Sequence, residues 1–544
     1  MATHELSFDP RHPWYPVPNV PGAEWSVEVF TVDDVRLLDP RRTTFEGGSL
    51  LADGLTWPGA QRNVAGRVRA DLMIAPGGDA VTWRIRAEAD VPVKAIKLLF
   101  RGLPGGAEDG WWSPTTPRDV ALTPRPDEPV LLRYPWPNWQ TPWICQGEGP
   151  AVTLSTRDTE VRAKRFYTFL PPWSPSAVTE VVCDQLATRR TPDFEAPPIV
   201  LRTCADVAAV HADLAEHLEH VERSFGLADW EDRADVPDWA RDIRLVVTLH
   251  GQHWTGYVFN TFDDMGRILE EVTRHVPGEH VLAYLPGWEG RYYWQYPIYR
   301  PGEDLGGADG FRRLTQTARR LGVHLMPMFG ANGANVGRYP RWEDAAFRSA
   351  GDRYVVHVNH PDWDGDRTRE DDQVFLNPGE PEYRAFLREQ IGELVTSYDV
   401  AGVFLDTSAC WFDDPRHELY AGYRALVGEL REAHPGLLVC GEGWYDALLG
   451  LLPVNQTWLD VARPPRTPDL PYRYSRVLGH LNSGCPGQGS TGVHEGGFRE
   501  PAKPLRVPGF VPSLGFVSDT LERYADDVAA FCREVGGRED GRQR

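Results

Sequence analysis

AGVFLD, residues 401–406, and LLVCGE, residues 437–442, decide how the rest of the chain is read. Each is a continuous apolar run that ends on a carboxylate. Each is too short for a helix and lacks the alternation of a strand with one wet face. Runs of this kind form parallel strands buried on both faces. A helical period precedes each one: Tyr383, Phe386, Leu387, Ile391 and Leu394 lead into the first, and Leu419, Tyr423, Leu426, Val427 and Leu430 into the second. Upstream, IRLVVTLH (243–250), VLAYLP (281–286) and VHLMPMFG (323–330) repeat the theme, the last behind a helix carrying Phe311, Leu314, Ala318 and Leu321. Less distinct runs follow near 451–456, 477–481 and 510–514, and a helix over 520–535 closes the series. Buried strands alternating with amphipathic helices predict a (β/α)8 TIM barrel over 241–544. A doubly wound open sheet competes, but TLHGQHW after the first strand lacks the glycine-rich phosphate turn of that fold.

Residues 1–203 obey a different period. Val68, Ala70, Leu72 and Ile74 alternate with Arg67, Arg69, Asp71 and Met73, and Val81, Trp83, Ile85 and Ala87 alternate with Thr82, Arg84, Arg86 and Glu88. Turns such as APGGDA and RGLPGGAEDG separate such runs. Short alternating strands with Gly/Pro punctuation predict an N-terminal antiparallel β-sandwich. Residues 204–240 read as a helical linker: Val207, Val210, Leu214, Leu218, Val221 and Phe225 step by three or four, and the charged ADWEDRADVPDW follows. The chain is thus multidomain, all-β followed by α/β, as 544 residues would suggest.

Bulk properties narrow the function classes. A formal net charge of −21 and the lack of a Lys/Arg cluster argue against nucleic acid as a partner. No apolar run approaches the ~18 residues of a membrane span, so no membrane partner is expected. Seven dispersed cysteines, none in a C-x-x-C pair, fit a reducing compartment better than a disulfide or zinc framework. With a start, MATHELSFDPRHPWYP, that has neither basic nor apolar leader regions, a cytoplasmic location is expected. Tryptophan is abundant, at 20 copies, and several follow strands. Singly each reads as a loop anchor; as a group they suit the C–H faces of sugar rings, so a carbohydrate is the expected partner. Oligomeric state is left open.

In a β/α barrel, catalytic groups sit at the carboxyl ends of the strands. Asp406 ends the fourth strand and Glu442 the fifth. Neighbouring strands lie ~4.8 Å apart, which matches the ~5–5.5 Å between the two carboxyls of retaining glycosidases better than the ~6.5–9.5 Å of inverting ones. Like charges at that range push one pKa up, so one acid can attack while the other holds a proton. Asp406, on the more apolar strand, is assigned as nucleophile and Glu442, with the longer arm, as acid/base. Each has an ordinary alternative: Asp406 as a helix N-cap, Glu442 as a strand-end ion-pair partner.

GVFLDTS followed by GEGW, with FLNPGEPEYRAFLREQIGEL and GWEGRYYWQYPIY upstream, resembles barrels of the glycoside-hydrolase superfamily. The likeness is to an uncharacterised domain-of-unknown-function group of bacterial barrels, similar to the endo-α-N-acetylgalactosaminidase and α-amylase-like glycosidases. That resemblance implies an Asp nucleophile on the fourth strand and a Glu acid/base on the fifth, an N-terminal β-sandwich, and an α-linked substrate. The sequence departs from the α-amylase pattern in having Phe404 where an Arg precedes the nucleophile.

Further candidates for substrate binding follow the strands: His250 and Trp254 after the first, Trp288 and Tyr293 after the second, Asn332 after the third, Trp411 and Trp444 after the two acids. Asp264 would bind hydroxyls or cap the next helix. His494 and Glu495, in GVHEGG, form a rival pair, with Glu495 the alternative acid/base. No cofactor and no metal are expected. HGQH would need His or Lys at later strand ends, and DWDGD (362–366) departs from a calcium loop at Arg367 and Gln373. A non-catalytic carbohydrate-binding barrel and, less favoured, a metal-dependent hydrolase are the alternatives to a glycoside hydrolase.

Overall fold

A computed structural model describes residues 13–537, apart from 58–62, 105–109, 118–119, 136–137, 148, 172–175, 254–255, 292, 352–354, 356–371, 458–465, 468 and 480–509. The barrel strands are β1 (Leu245–Leu249), β2 (Val281–Leu285), β3 (His324–Phe329), β4 (Gly402–Leu405), β5 (Leu438–Glu442), β6 (Val454–Thr457) and β7 (Arg476–Gly479). The eighth, β8, comprises Phe510–Val511 and Ser513–Phe516 on either side of Pro512. All pair in parallel, in chain order. β1, β2 and β4 are buried at every residue, which is why they read as unbroken apolar runs. Closure falls to β8. Its first half pairs with β7, its second half with β1, and the Val246 amide donates to the Pro512 carbonyl at 2.8 Å. Pro512 has no amide of its own to lose at the break.

The connecting helices form where the period of 3.6 residues predicts them. Gly307–Leu321 buries Phe311, Leu314 and Ala318 and stops at Gly322, whose φ of 79° terminates the helix in the left-handed region. Pro381–Tyr398 starts on a proline at its first turn, with the Glu380 carboxylate accepting the Glu382 and Tyr383 amides. Leu419–Ala433 buries Leu419, Tyr423, Leu426, Val427 and Leu430. In the segment after β3, Gly333–Asn335 pairs antiparallel with Gln373–Phe375.

Ahead of the barrel lie two antiparallel sheets, each of nine described strands. Trp25 and Phe100 from one sheet meet Trp83 from the other edge-on, at 6.0 and 5.2 Å between centroids. The alternation of Val68, Ala70, Val81, Trp83, Ile85 and Ala87 points these side chains into the same core. The helix Val207–Phe225 lies against the second sheet: Asp213, fully enclosed, accepts from Trp143, Thr153 and Arg202. Among the described residues no helix is long and apolar enough to cross a membrane, and no group of three or more His, Cys, Asp or Glu gathers to hold a metal. Among the described residues, Cys145, Cys183, Cys204, Cys410, Cys440 and Cys532 form no disulfide.

Two glycines bring the loops after β1 and β2 into backbone contact. Gly251 donates to the Pro286 carbonyl and Gln252 to that of Gly287, both at 2.9 Å. A Cβ on Gly287, at φ +67°, would stand 2.3 Å from the Gln252 carbonyl oxygen, and one on Gly251 2.4 Å from that of Gly287. Gly287→Ala should therefore lower the unfolding free energy by at least about 1–3 kcal/mol in urea denaturation. Gly436→Ala, where a Cβ meets nothing within 4 Å, should leave it near the parent value.

Candidate active site

The register of the barrel places the two acids side by side. Leu405 on β4 is the partner of Gly441 on β5, so Asp406 and Glu442 leave neighbouring strands at the same height. Asp406 is 6% exposed and its amide donates to the Phe329 carbonyl at 2.8 Å. Thr407 then takes φ +56°, a left-handed conformation that a β-branched residue adopts only under constraint. That turn aims its amide at Glu442 Oε2, 2.9 Å away. The Thr407 side chain is bonded to Asn332 Oδ1, and Asn332 Nδ2 donates to the Thr407 carbonyl at 3.3 Å. Ser408 Oγ and the Ala409 amide both donate to the Glu442 carbonyl at 3.0 Å. The two strand ends are thus sewn together by the loop that follows Asp406.

The two carboxyls are neighbours. Burial raises the Asp406 pKa well above the usual carboxylate range, and Glu442 raises it further by its charge and by the hydrogen bond between the two groups. Tyr293, whose hydroxyl donates to Asp406 Oδ2 at 3.4 Å, and the Thr407 amide oppose the shift without reversing it. The net effect favours the protonated form of Asp406 beside Glu442. Tyr293 itself sits at φ +67°, a second strained non-glycine residue at the same spot. Cys410 is close to both acids, but burial and their charge push its thiol up to about 12, so it supplies no thiolate.

A third acid lies under this cluster. Glu289, 5% exposed, has neither carboxyl oxygen in a well-formed hydrogen bond. Burial pushes its pKa to about 8, against the lowering pull of its own amide and of the neighbouring Tyr296 hydroxyl. The Tyr296 ring in turn meets Tyr293 edge-on at 5.5 Å between centroids.

The other residues singled out by sequence divide into those brought to the pair and those used elsewhere. Tyr293 and Asn332 reach it, Asn332 through Thr407 and with no exposed surface. His250 is 2% exposed, its carbonyl taken by Asn260 Nδ2 at 2.7 Å. Trp288 is fully buried: its indole N–H donates to the Met328 carbonyl at 2.8 Å and its ring packs on Phe311 and Phe329, so it presents no platform to a ligand. Trp444, 4% exposed, is equally absorbed, in an apolar cluster with Leu449, Leu470 and Tyr474. Asp264 closes a capping box with Thr261 and pairs with Arg267, the capping alternative. Trp411 is half-buried beside a cavity of about 470 Å³ between sandwich and barrel. Trp254, His494, Glu495 and the DWDGD loop lie outside the described residues. Thr407 carries no sequence signal for its role, because positive φ depends on partners distant in the chain; Glu289 reads in sequence as a sugar-subsite residue beside Trp288 and Tyr293, but nothing there signals its loss of solvent.

Glu289 makes stability depend on pH. Its folded pKa lies above the usual 4.5, so the folded state binds the extra proton and stability falls as pH rises from 4.5 to about 8. The loss from this one group should approach ~1.4 kcal/mol per pH unit. Glu289→Gln should flatten that slope in denaturation measured across the same window. In infrared spectra at neutral pH, one protonated-carboxyl band should vanish in Glu289→Gln and another in Asp406→Asn.

No family model and no curated protein matches the sequence. The fold has relatives among solved structures. The α-N-acetylgalactosaminidase NagBb from Bifidobacterium bifidum, in complex with Gal-NHAc-DNJ, is 13% identical with a TM-score of 0.61, covering 96% of this chain and 93% of its own. The same enzyme with GalNAc gives 15% identity and a TM-score of 0.60, covering 95% of this chain and 89% of its own. The likeness is one of architecture: a β-rich N-terminal region joined to a parallel eight-stranded barrel, the fold anticipated from the alternation of buried strands and amphipathic helices.

Proposed function

We propose that the protein is a glycoside hydrolase whose chemistry is centred on Asp406 and Glu442. The observation that carries the reading is the pairing of buried Asp406 with half-buried Glu442 at the carboxyl ends of adjacent barrel strands. Two neighbouring acids, one of them with its protonated form favoured by burial, can divide into a nucleophile and an acid in a single proton transfer. Passing the proton from Asp406 to Glu442 leaves Asp406 ionised to attack the anomeric carbon and Glu442 charged with the proton for the departing oxygen. Entry of the sugar would part the carboxyls to the ~5–5.5 Å of a retaining site. Water, deprotonated by Glu442, would then release the sugar from Asp406 with net retention. Tyr293 is placed to hold Asp406 during the attack. The ligands of NagBb, GalNAc and Gal-NHAc-DNJ, make α-linked N-acetylgalactosamine and galactose the first substrates to try. No cofactor is needed for this chemistry.

The closeness of the carboxyls favours one competing assignment. Glu442 would tune Asp406, and the proton for the leaving group would come from another strand end, where Glu495 is the residue indicated by sequence. Aryl α-glycosides of graded leaving-group acidity separate the two. Asp406→Asn should lose about 10²–10⁴-fold or more in kcat on every substrate. Glu442→Gln should lose as much on poor leaving groups and little on the most acidic ones if it is the acid; a uniform loss selects the competing assignment. The first-formed anomer, followed by NMR, should retain its configuration. Parent-like turnover by Asp406→Asn, or sugar binding by the unaltered protein without turnover, would overturn the hydrolase reading.

A further inference from the structure

The loops that leave the two acids run directly to the sandwich. Asp446 lies four residues beyond Glu442, is 3% exposed, and has its carboxylate taken up mainly by the other domain. Tyr134 Oη donates to Oδ1 at 2.7 Å and Thr141 Oγ1 to Oδ2 at 2.9 Å, while the Asp446 amide donates to the Gln140 carbonyl at 2.8 Å. Behind Thr141 stands His217 Nε2 at 2.8 Å. Burial keeps His217 neutral, and with the Thr141 proton committed to Asp446, His217 must donate from Nε2. The relay His217 to Thr141 to Asp446 thus runs in one direction. The loop after Asp406 has its own tie: Asp413 accepts the Ala187 amide at 2.8 Å and Arg190 Nη2 at 2.9 Å. Arg190 Nη1 continues to the Ala350 carbonyl at 3.3 Å.

We propose that the sandwich sets the geometry of the catalytic pair, with Asp446 and Asp413 as positioning residues that transmit its hold to Glu442 and Asp406. This rests on the reading of that pair as the reacting groups. The path from Asp446 is short: Gly443 is fixed by its amide to the Gln456 carbonyl at 2.6 Å, and Trp444 is wedged against Leu449, Leu470 and Tyr474. The path from Asp413 passes Phe412, packed on Phe347 and Phe375, to the Thr407 turn. Buried carboxylates at a domain boundary add little to stability beyond what an apolar contact of the same shape would give. Their directional bonds do constrain the chain that carries them, and misplacing a reacting group by ~1 Å can cost 10²-fold in rate. Asp446 is faced by Tyr134, Thr141 and Lys164 from the sandwich and by Tyr445 and Tyr420 from the barrel, and Asp413 by Arg190, Asp184 and Asp414. Burial pushes both carboxyls up to about 6.

Tyr134→Phe removes one oxygen and keeps the ring, and Arg190→Met removes the Asp413 cation; Leu131→Ala, at an exposed position on the Tyr134 strand, is the control. The full-length variants are compared by the infrared titration of the Asp406 carboxyl, which needs no substrate, and by kcat and KM on an aryl α-N-acetylgalactosaminide. Tyr134→Phe and Arg190→Met should each move the titration midpoint by at least about half a pH unit. They should lower kcat about 10–100-fold with KM little changed. In a Glu442→Gln background the kcat effect of Tyr134→Phe should disappear, since the group it positions is gone. Unchanged midpoints in folded Tyr134→Phe and Arg190→Met, or an undiminished Tyr134→Phe effect in that background, would overturn the proposal. If Asp406→Asn keeps its turnover, the hydrolase reading of the pair fails, while the infrared midpoints still decide whether the sandwich governs it.

Discussion

Two carboxyls held side by side, one of them buried, organise the centre of this molecule. Neither acid would accept such proximity in water, where both would be ionised and drift apart. Here β4 and β5 fix their backbones at one height, and the Thr407 amide pins Glu442 from the side. Removing water from Asp406 makes its charge costly, so its protonated form is favoured beside Glu442. The strain at Thr407 and Tyr293 is intelligible on these terms. Backbone held in a sparsely populated region is tolerated where surrounding contacts over-determine it, and here those contacts converge on the two acids.

The barrel was legible in the sequence because its signal is burial. Strands enclosed on both faces must be apolar at every position, and β1, β2 and β4 show it without interruption. The later strands were fainter for a physical reason: β7 carries Arg476 at its start and β8 is broken by Pro512. The meeting of Asp406 and Glu442 was legible too, since strand order and register follow from the alternation of helices and strands. Which loop side chains would face a ligand was not. An aromatic after a strand end satisfies the same pattern whether it opens on the pocket or folds under it, and Trp288 and Trp444 fold under. Asp446 carried no recognisable motif, because its donors Tyr134 and Thr141 are some three hundred residues earlier in the chain.

The sandwich belongs to the same physical unit. One continuous apolar core runs from Trp25 and Trp83 to the barrel interior, and the polar ties at Asp413 and Asp446 lie where that core reaches the loops. Apolar contact holds the two parts together without regard to direction. The carboxylates supply the direction, because an acceptor with donors on two sides fixes an angle that packing alone leaves loose.

The split β8 has a consequence for how the chain comes into being. The outer edge of β1 pairs with Ser513–Phe516, more than 250 residues later in the sequence. On the ribosome, the first seven strands emerge with an unsatisfied edge at either end of a growing parallel sheet, and such edges template pairing with other chains. Only when Pro512 and its flanks leave the exit tunnel can both edges be capped, in one step, by a single short segment. Nascent chains stalled before that point are therefore the species most exposed to self-association, and the moment of closure is the moment the protein becomes safe from its own copies.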